Sequence, residues 1–308
     1  QTGLSYQAWI RVNLHDLQVN RFLLTTNFTA WAHSANLKLW AEEEPPCSVP
    51  PTLTAYLRLA TISRDGICEG EYDFHPDAKR PYDRVVTLVV RFRWSWQQHA
   101  RVWCTKLLTI FPVEDLVPLT KQYENLEVIE CASEGDLIQR FAELLTRFDP
   151  DDVIHFPDFT DELVYLGCRA ERCARSKPLL LERKPRLAVR LIHREETGYH
   201  KLKFETRNVI DLRAALVRKV FVTLESYDLW NVSCSSHFRK HAVPTQDAAL
   251  VSPYDCNRWM KQGVEGRALI AGRALREVDL LECLDVDNSI RLEFANISAV
   301  SDTSLNDV

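Results

Sequence analysis

The sequence predicts an α/β protein: a mixed β-sheet carrying helices, preceded by a small β-rich N-terminal domain. Three observations lead there. Strand-like runs follow one another between Leu53 and Phe111, the apolar period switches from two to 3.6 residues after Asn125, and the acidic, proline-rich stretch "AEEEPPCSVPP" sets both apart from what precedes them. The boundary drawn there divides residues 1–50 from residues 51–308.

In the first part, "LSYQAWIRVNL" and "NLKLW" predict two strands flanking a mixed segment. In the second, "LTAYLRLATIS", "YDRVVTLVVRFRWSW" and "ARVWCTKLLTIF" predict a largely buried antiparallel meander. Val85, Thr87, Val89 and Arg91 alternate with Val86, Leu88, Val90 and Phe92. "LEVIE" is a further strand. Ser133 is placed to cap a helix whose one side holds Leu137, Phe141, Leu144, Leu145 and Phe148, and the chain turns at Asp149-Pro150 into a strand over Val153–Phe156. "DELVYLGCRAERC" reads as the next helix, "LKFETRNVIDL" as a strand or loop entering a helix, and "YDLWNVSCSSHF" as another helix. "SPYDCNRWMKQGVEGRALIAGRALREVDLLECL" reads as one long helix. Three antiparallel strands followed by alternating helices and strands is the element order of a ribonuclease-H-like mixed sheet.

The 308 residues are 46% hydrophobic, enough to fill a sizeable core, and carry a formal net charge of −5, so any basic surface must be local. Nine cysteines, an odd number set within apolar patterns, read as reduced thiols of an intracellular protein. No run reaches the roughly 18 apolar residues of a membrane span, which points away from a membrane partner. The chain opens on Gln1 and closes on "SLNDV", the ends expected of a segment of something larger. There is no P-loop, GxGxxG or GxSxG, so triphosphate, dinucleotide and serine-hydrolase chemistries have no support.

Asp158, Asp161 and Glu162 lie where a strand becomes a helix. They read either as carboxylates for a divalent metal or as a cap (Asp158 or Thr160) with acids favouring the first helical turn. Asp255 in "SPYDC" has the same two readings, with Ser252 as cap and Pro253 at the first helical position. His237 and His241 lack the glutamate of a zinc-protease motif, and the spacing of Cys168 and Cys173 fits no zinc site. Between Arg169 and Arg190 the chain carries Arg169, Arg172, Arg175, Lys177, Arg183, Lys184, Arg186 and Arg190 against Glu171 and Glu182. That segment either tracks nucleic-acid phosphates or is a solvated loop. Trp94, Trp96 and Trp103 would form an apolar interaction patch if exposed.

The order "FDPDDVIHF", "DELVYLGCRA", "RNVIDL…LESYDLWNVSCSSHF" and "SPYDC" resembles the exonuclease region of family B DNA polymerases. In that family a DPDII-like turn and strand lead to a helix reading DLPYLxxRA. Ile210, Asp211, Leu212, Leu224, Ser226, Tyr227, Leu229, Val232 and Phe238 fall on a later family segment, the most specific part. The resemblance runs from about Pro51 to Val308. It implies that residues 1–50 belong to the preceding amino-terminal domain and that a polymerase palm would follow.

Family members of this kind hold two metal ions about 4 Å apart on carboxylates. The first motif, DxE, falls on Ala60, Thr61 and Ile62. The second, Asn with Asp five residues on, falls on Pro157 and Glu162. The third, YxxxD, falls on Val251 and Asp255. The resemblance thus implies an exonuclease fold with degenerate catalytic positions, no metal cofactor, and a scaffold role in DNA replication or repair. The polymerase palm or other replication subunits and single-stranded DNA are the implied partners, and the nucleus the implied location. The competing reading is an active Mg2+-dependent 3′–5′ exonuclease with relocated carboxylates, drawing on Asp158, Asp161 or Glu162, and Asp255, with Asp65 or Glu71.

Overall fold

In the computed structural model the described residues are 10–12, 18–19, 30–31, 37–39, 52–63, 76–94, 102–158, 161–173, 190–194, 199–203, 207–219, 224–238 and 255–301. Four short strands come first. β1 (Ile10–Val12) pairs antiparallel with β4 (Leu37–Leu39), and β2 (Gln18–Val19) with β3 (Ala30–Trp31). β1 and β4 are the two strands expected in the first 50 residues, and β2 and β3 lie in the segment between them that the sequence left mixed.

The predicted meander is present as β5 (Leu53–Ile62), β6 (Arg84–Trp94) and β7 (Val102–Thr109), joined antiparallel. β8 (Leu126–Glu130) then adds parallel to β7 after a short helix α1 (Val117–Gln122). α2 (Glu134–Phe148) returns the chain to β9 (Asp152–His155), which lies parallel to β5 on the side away from β6. α3 (Glu162–Cys173) and the hairpin β10 (Arg190–Arg194) to β11 (Tyr199–Lys203) lead to β12 (Asn208–Asp211), parallel to β9. The sheet order β12-β9-β5-β6-β7-β8 is the ribonuclease-H-like mixed sheet with one extra edge strand.

Helix α2 shows why the pattern was readable. Ser133 Oγ accepts from Asp136 N at 3.2 Å, the predicted apolar side is wholly buried, and Asp149 closes the helix in the left-handed region at φ 48°. Alternation on β5 sends Leu53, Ala55 and Leu57 towards α2 and α3, and Tyr56 and Arg58 towards the opposite helical layer. That second layer holds α4 (Leu212–Lys219), α5 (Leu229–Cys234), α6 (Asp255–Met260), α7 (Val264–Asn288) and α8 (Ile290–Ser301).

One expectation needs correction: the single long helix after Ser252 is two. Gly263, at φ +66°, separates α6 from α7. A Cβ on Gly266 would sit 1.7 Å from the Trp259 carbonyl oxygen, so α7 folds back against α6 only with glycine there. Among the described residues no helix is long and apolar enough to cross a membrane.

Candidate functional site

β5 and β9 are parallel neighbours, but the chain leaves β5 for β6 on the other side, so the sheet order reverses between them. A crevice at the carboxyl ends of such strands is where open α/β sheets bind ligands. A cavity of about 70 Å3 lies there, lined by Arg58, Ala60, Asp158, Glu162, Tyr165 and Glu277 among others.

Arg58 is the lone charged residue of a ten-residue apolar strand, and its guanidinium fills the centre of the site. Nε donates to Glu277 Oε2 at 2.9 Å, Nη2 to Asp158 Oδ2 at 2.9 Å, and Nη1 to the Phe156 carbonyl at 2.7 Å and to Glu162 Oε1. Three carboxylates, from the β9–α3 turn, from α3 and from α7, therefore converge on one cation. Each has another partner. Glu162 Oε2 lies 3.2 Å from His155 Nδ1, Glu277 Oε1 accepts from Arg273 Nε at 2.7 Å, and Asp158 Oδ1 accepts from Leu229 N at 2.8 Å.

Burial opposes every charge here, and the neighbours decide the outcome. For Arg58, desolvation is outweighed by Glu277, Glu162 and Asp158, and its pKa rises well above the usual arginine value. Burial pushes Glu277 up, but Arg273 and Arg58 together bring it down to about 2. Burial would also lower His155, yet the hydrogen bond to Glu162 and the charges of Asp161, Glu162 and Asp211 raise it to about 9, so the imidazole is protonated at neutral pH. On Asp158 burial wins over Arg58 and lifts the carboxyl to about 6. Three carboxylates face three cations, Arg58, Arg273 and His155.

That inventory does not fit a divalent metal. A hard cation takes carboxylate oxygens as ligands, whereas the inward oxygens of Asp158, Glu162 and Glu277 are taken by Arg58. The end of the first strand supplies no acid. Ala60 and Ile62 are buried in an apolar cluster with Val86, Phe111, Cys256 and Ile270. Asp255, at the start of α6, is not among the carboxylates bonded to Arg58. Among the described residues no group of three or more His, Cys, Asp or Glu side chains is arranged to hold a metal ion.

The remaining candidates separate clearly. Pro157 follows β9, and its carbonyl accepts from Arg213 Nη1 at 3.0 Å. Asp158 does not cap α3: Asp161 does, its Oδ1 accepting from Leu163 N and Val164 N at 3.0 Å, while Thr160 lies outside the described residues. Arg169, expected as a phosphate contact, points inward. Nε and Nη2 donate to the two oxygens of Glu134 at 2.8 and 2.5 Å, and Nη1 to the Ala78 and Arg80 carbonyls. Arg172 is exposed on α3. Arg175, Lys177, Arg183, Lys184, Val251, Ser252, Pro253, Asp65, Glu71, His241 and Trp96 lie outside the described residues, as does the side chain of Trp103. Trp94 is half-buried against the core, and Cys168 and Cys173 are free thiols.

Sequence reasoning missed Arg58 and Glu277. Both carried a signal: a single arginine in an otherwise apolar strand, and a glutamate three residues after Ala274 and four before Leu281, on the buried stripe of α7.

A family model for the exonuclease domain of family B DNA polymerases matches residues 1–232. No curated protein matches the chain.

Proposed function

The chain belongs to the exonuclease domain family of family B DNA polymerases, and on that premise we propose that it is a catalytically inactivated member acting as a structural scaffold. One observation carries the reading: the Arg58 guanidinium sits among Asp158, Glu162 and Glu277, where phosphodiester hydrolysis would require metal ions. Ala60 and Ile62, on the positions of the family's first carboxylate pair, support it by packing as core. What the domain retains is the sheet and its two helical layers, and these give it a rigid body to dock on a polymerase palm or on other replication subunits.

The test is degradation of a 5′-labelled single-stranded oligonucleotide by the full chain with Mg2+ or Mn2+, beside a Glu162→Gln variant. No metal-dependent shortening is expected from either protein. Shortening by the unaltered chain that disappears in the variant would overturn the proposal.

A further inference from the structure

We propose that the outer edge of β8 is a docking site for an extended segment of a partner protein, one that carries lysine or arginine and adds to the six-stranded sheet as a further strand. This edge lies three strands from β5, at the end of the sheet away from β12, and the inference does not depend on the chemistry of the crevice.

The backbone register fixes what the edge offers. β8 lies parallel to β7, with Thr105 beside Leu126, Leu107 beside Val128 and Thr109 beside Glu130. In a parallel ladder a residue bonds to the two that flank its partner, so β7 is met by Asn125, Glu127, Ile129 and Cys131. The first and last of those bonds frame the strand: Thr105 N donates to the Asn125 carbonyl at 2.9 Å, and Cys131 N to the Thr109 carbonyl at 2.7 Å. Leu126, Val128 and Glu130 therefore turn their backbone groups outward. The Leu126 amide donates to the Tyr123 carbonyl at 3.3 Å, which leaves the Leu126 carbonyl and both backbone groups of Val128 and Glu130 without a partner among the described residues.

Natural sheets blunt such edges with proline, bulges or lysine. β8 reads LEVIE, with neither proline nor lysine, and pairs with β7 without a register shift. What it carries is acid. Glu124, Glu127 and Glu130 are exposed, and no Lys or Arg lies between Gln122 and Cys131. Glu127 is held by Lys106, and Glu130 Oε2 accepts from Val113 N at 3.0 Å. An odd spacing puts these two glutamates on opposite faces of the strand, so an incoming segment meets negative charge on both. Leu126, Val128 and Ile129 are half-buried and give it apolar contacts.

This charge chooses the occupant. A second copy of the chain pairing β8 with β8 would bring glutamates together across the seam, which cross-strand pairing disfavours, whereas lysine or arginine beside them is favoured. Main-chain hydrogen bonds supply the affinity, and the glutamates supply the selection.

The experiment titrates the full chain, by fluorescence anisotropy, with a labelled peptide carrying lysine at every third position and valine between, the spacing of Glu124, Glu127 and Glu130. Two controls accompany it: the same peptide with glutamate for lysine, and the lysine peptide N-methylated throughout, which keeps its charge and has no backbone donor. Both controls are expected to bind at least about tenfold more weakly. The Val128 and Glu130 amides should exchange their hydrogens rapidly in the free chain and become protected by the lysine peptide. Glu127→Lys/Glu130→Lys should reverse the preference between the lysine and glutamate peptides. Val128→Pro removes an outward donor and leaves the β7 ladder intact, so it should weaken binding; if it does not fold, the exchange measurement on the unaltered chain decides. Equal binding of the N-methylated peptide would mean charge alone and overturn the proposal, as would no binding of the lysine peptide. Val128 and Glu130 amides already protected in the free chain would overturn it too, with sedimentation then showing whether a second copy covers the edge.

Discussion

Two buried arginines on this fold do different things. Arg169 on α3 meets one carboxylate: Glu134 takes both of its forks, two backbone carbonyls take the rest, and Glu134 also accepts from Val85 N at 2.8 Å. Arg58 on β5 meets three carboxylates, two of which have a cation of their own in His155 or Arg273. One is a stitch, balanced one to one and joining α2, α3 and the turn before β6. The other is a cluster at a sheet crevice in which three carboxylates face Arg58, Arg273 and His155. The difference teaches that a buried arginine can close a one-to-one pair between neighbouring elements, as Arg169 does, or gather carboxylates from three separate elements onto one cation, as Arg58 does.

Truncation gives the largest effects and the sharpest contrast. Removing one partner of a buried pair costs about 3–5 kcal/mol because the other charge stays behind. Arg58→Ala strands three carboxylates and is expected at or beyond the top of that range in urea unfolding, and Arg169→Ala, stranding Glu134 alone, near its bottom. An equal loss in both variants would erase the distinction between stitch and cluster.

Alkaline pH should act on the Arg58 region through His155. Its folded pKa of about 9 lies above the ordinary 6.5, so the protonated form is favoured by folding. The resulting stability is fully present below pH 6.5 and is lost as pH rises through 9, on the order of 3 kcal/mol in all. Unfolding curves from pH 6 to 10 should show that loss in the unaltered chain and lose it in His155→Gln, with Arg169→Ala retaining it. A pH-independent unaltered chain would remove His155 from the cluster. The smallest effect belongs to Arg172→Ala, exposed one turn beyond Arg169, which should change stability by less than about 0.5 kcal/mol.

Much of the fold was legible because local chemistry and global packing agree. Ser133, the apolar side of α2 and the alternation on β6 each specify an element and also bury it correctly. The break at Gly263 was hidden because the apolar period continues through it, and only the contact of Gly266 with Trp259 demands the fold-back. The candidate site was half legible. Glu162 could be singled out from a strand-to-helix pattern, but its partner Arg58 lies 104 residues before it, and Glu277, which also binds Arg58, lies far along a later helix. Pattern cannot pair residues that only the tertiary fold brings together. For the same reason Arg169 looked like part of a basic surface segment, since its partner Glu134 sits on the preceding helix.

The most direct test is a crystal structure of the unaltered chain grown with MnCl2 and measured at a wavelength where manganese scatters anomalously. The account expects the Arg58 guanidinium bonded to Asp158, Glu162 and Glu277, with no anomalous peak among them. A peak between those carboxylates, with Arg58 swung out, would contradict it.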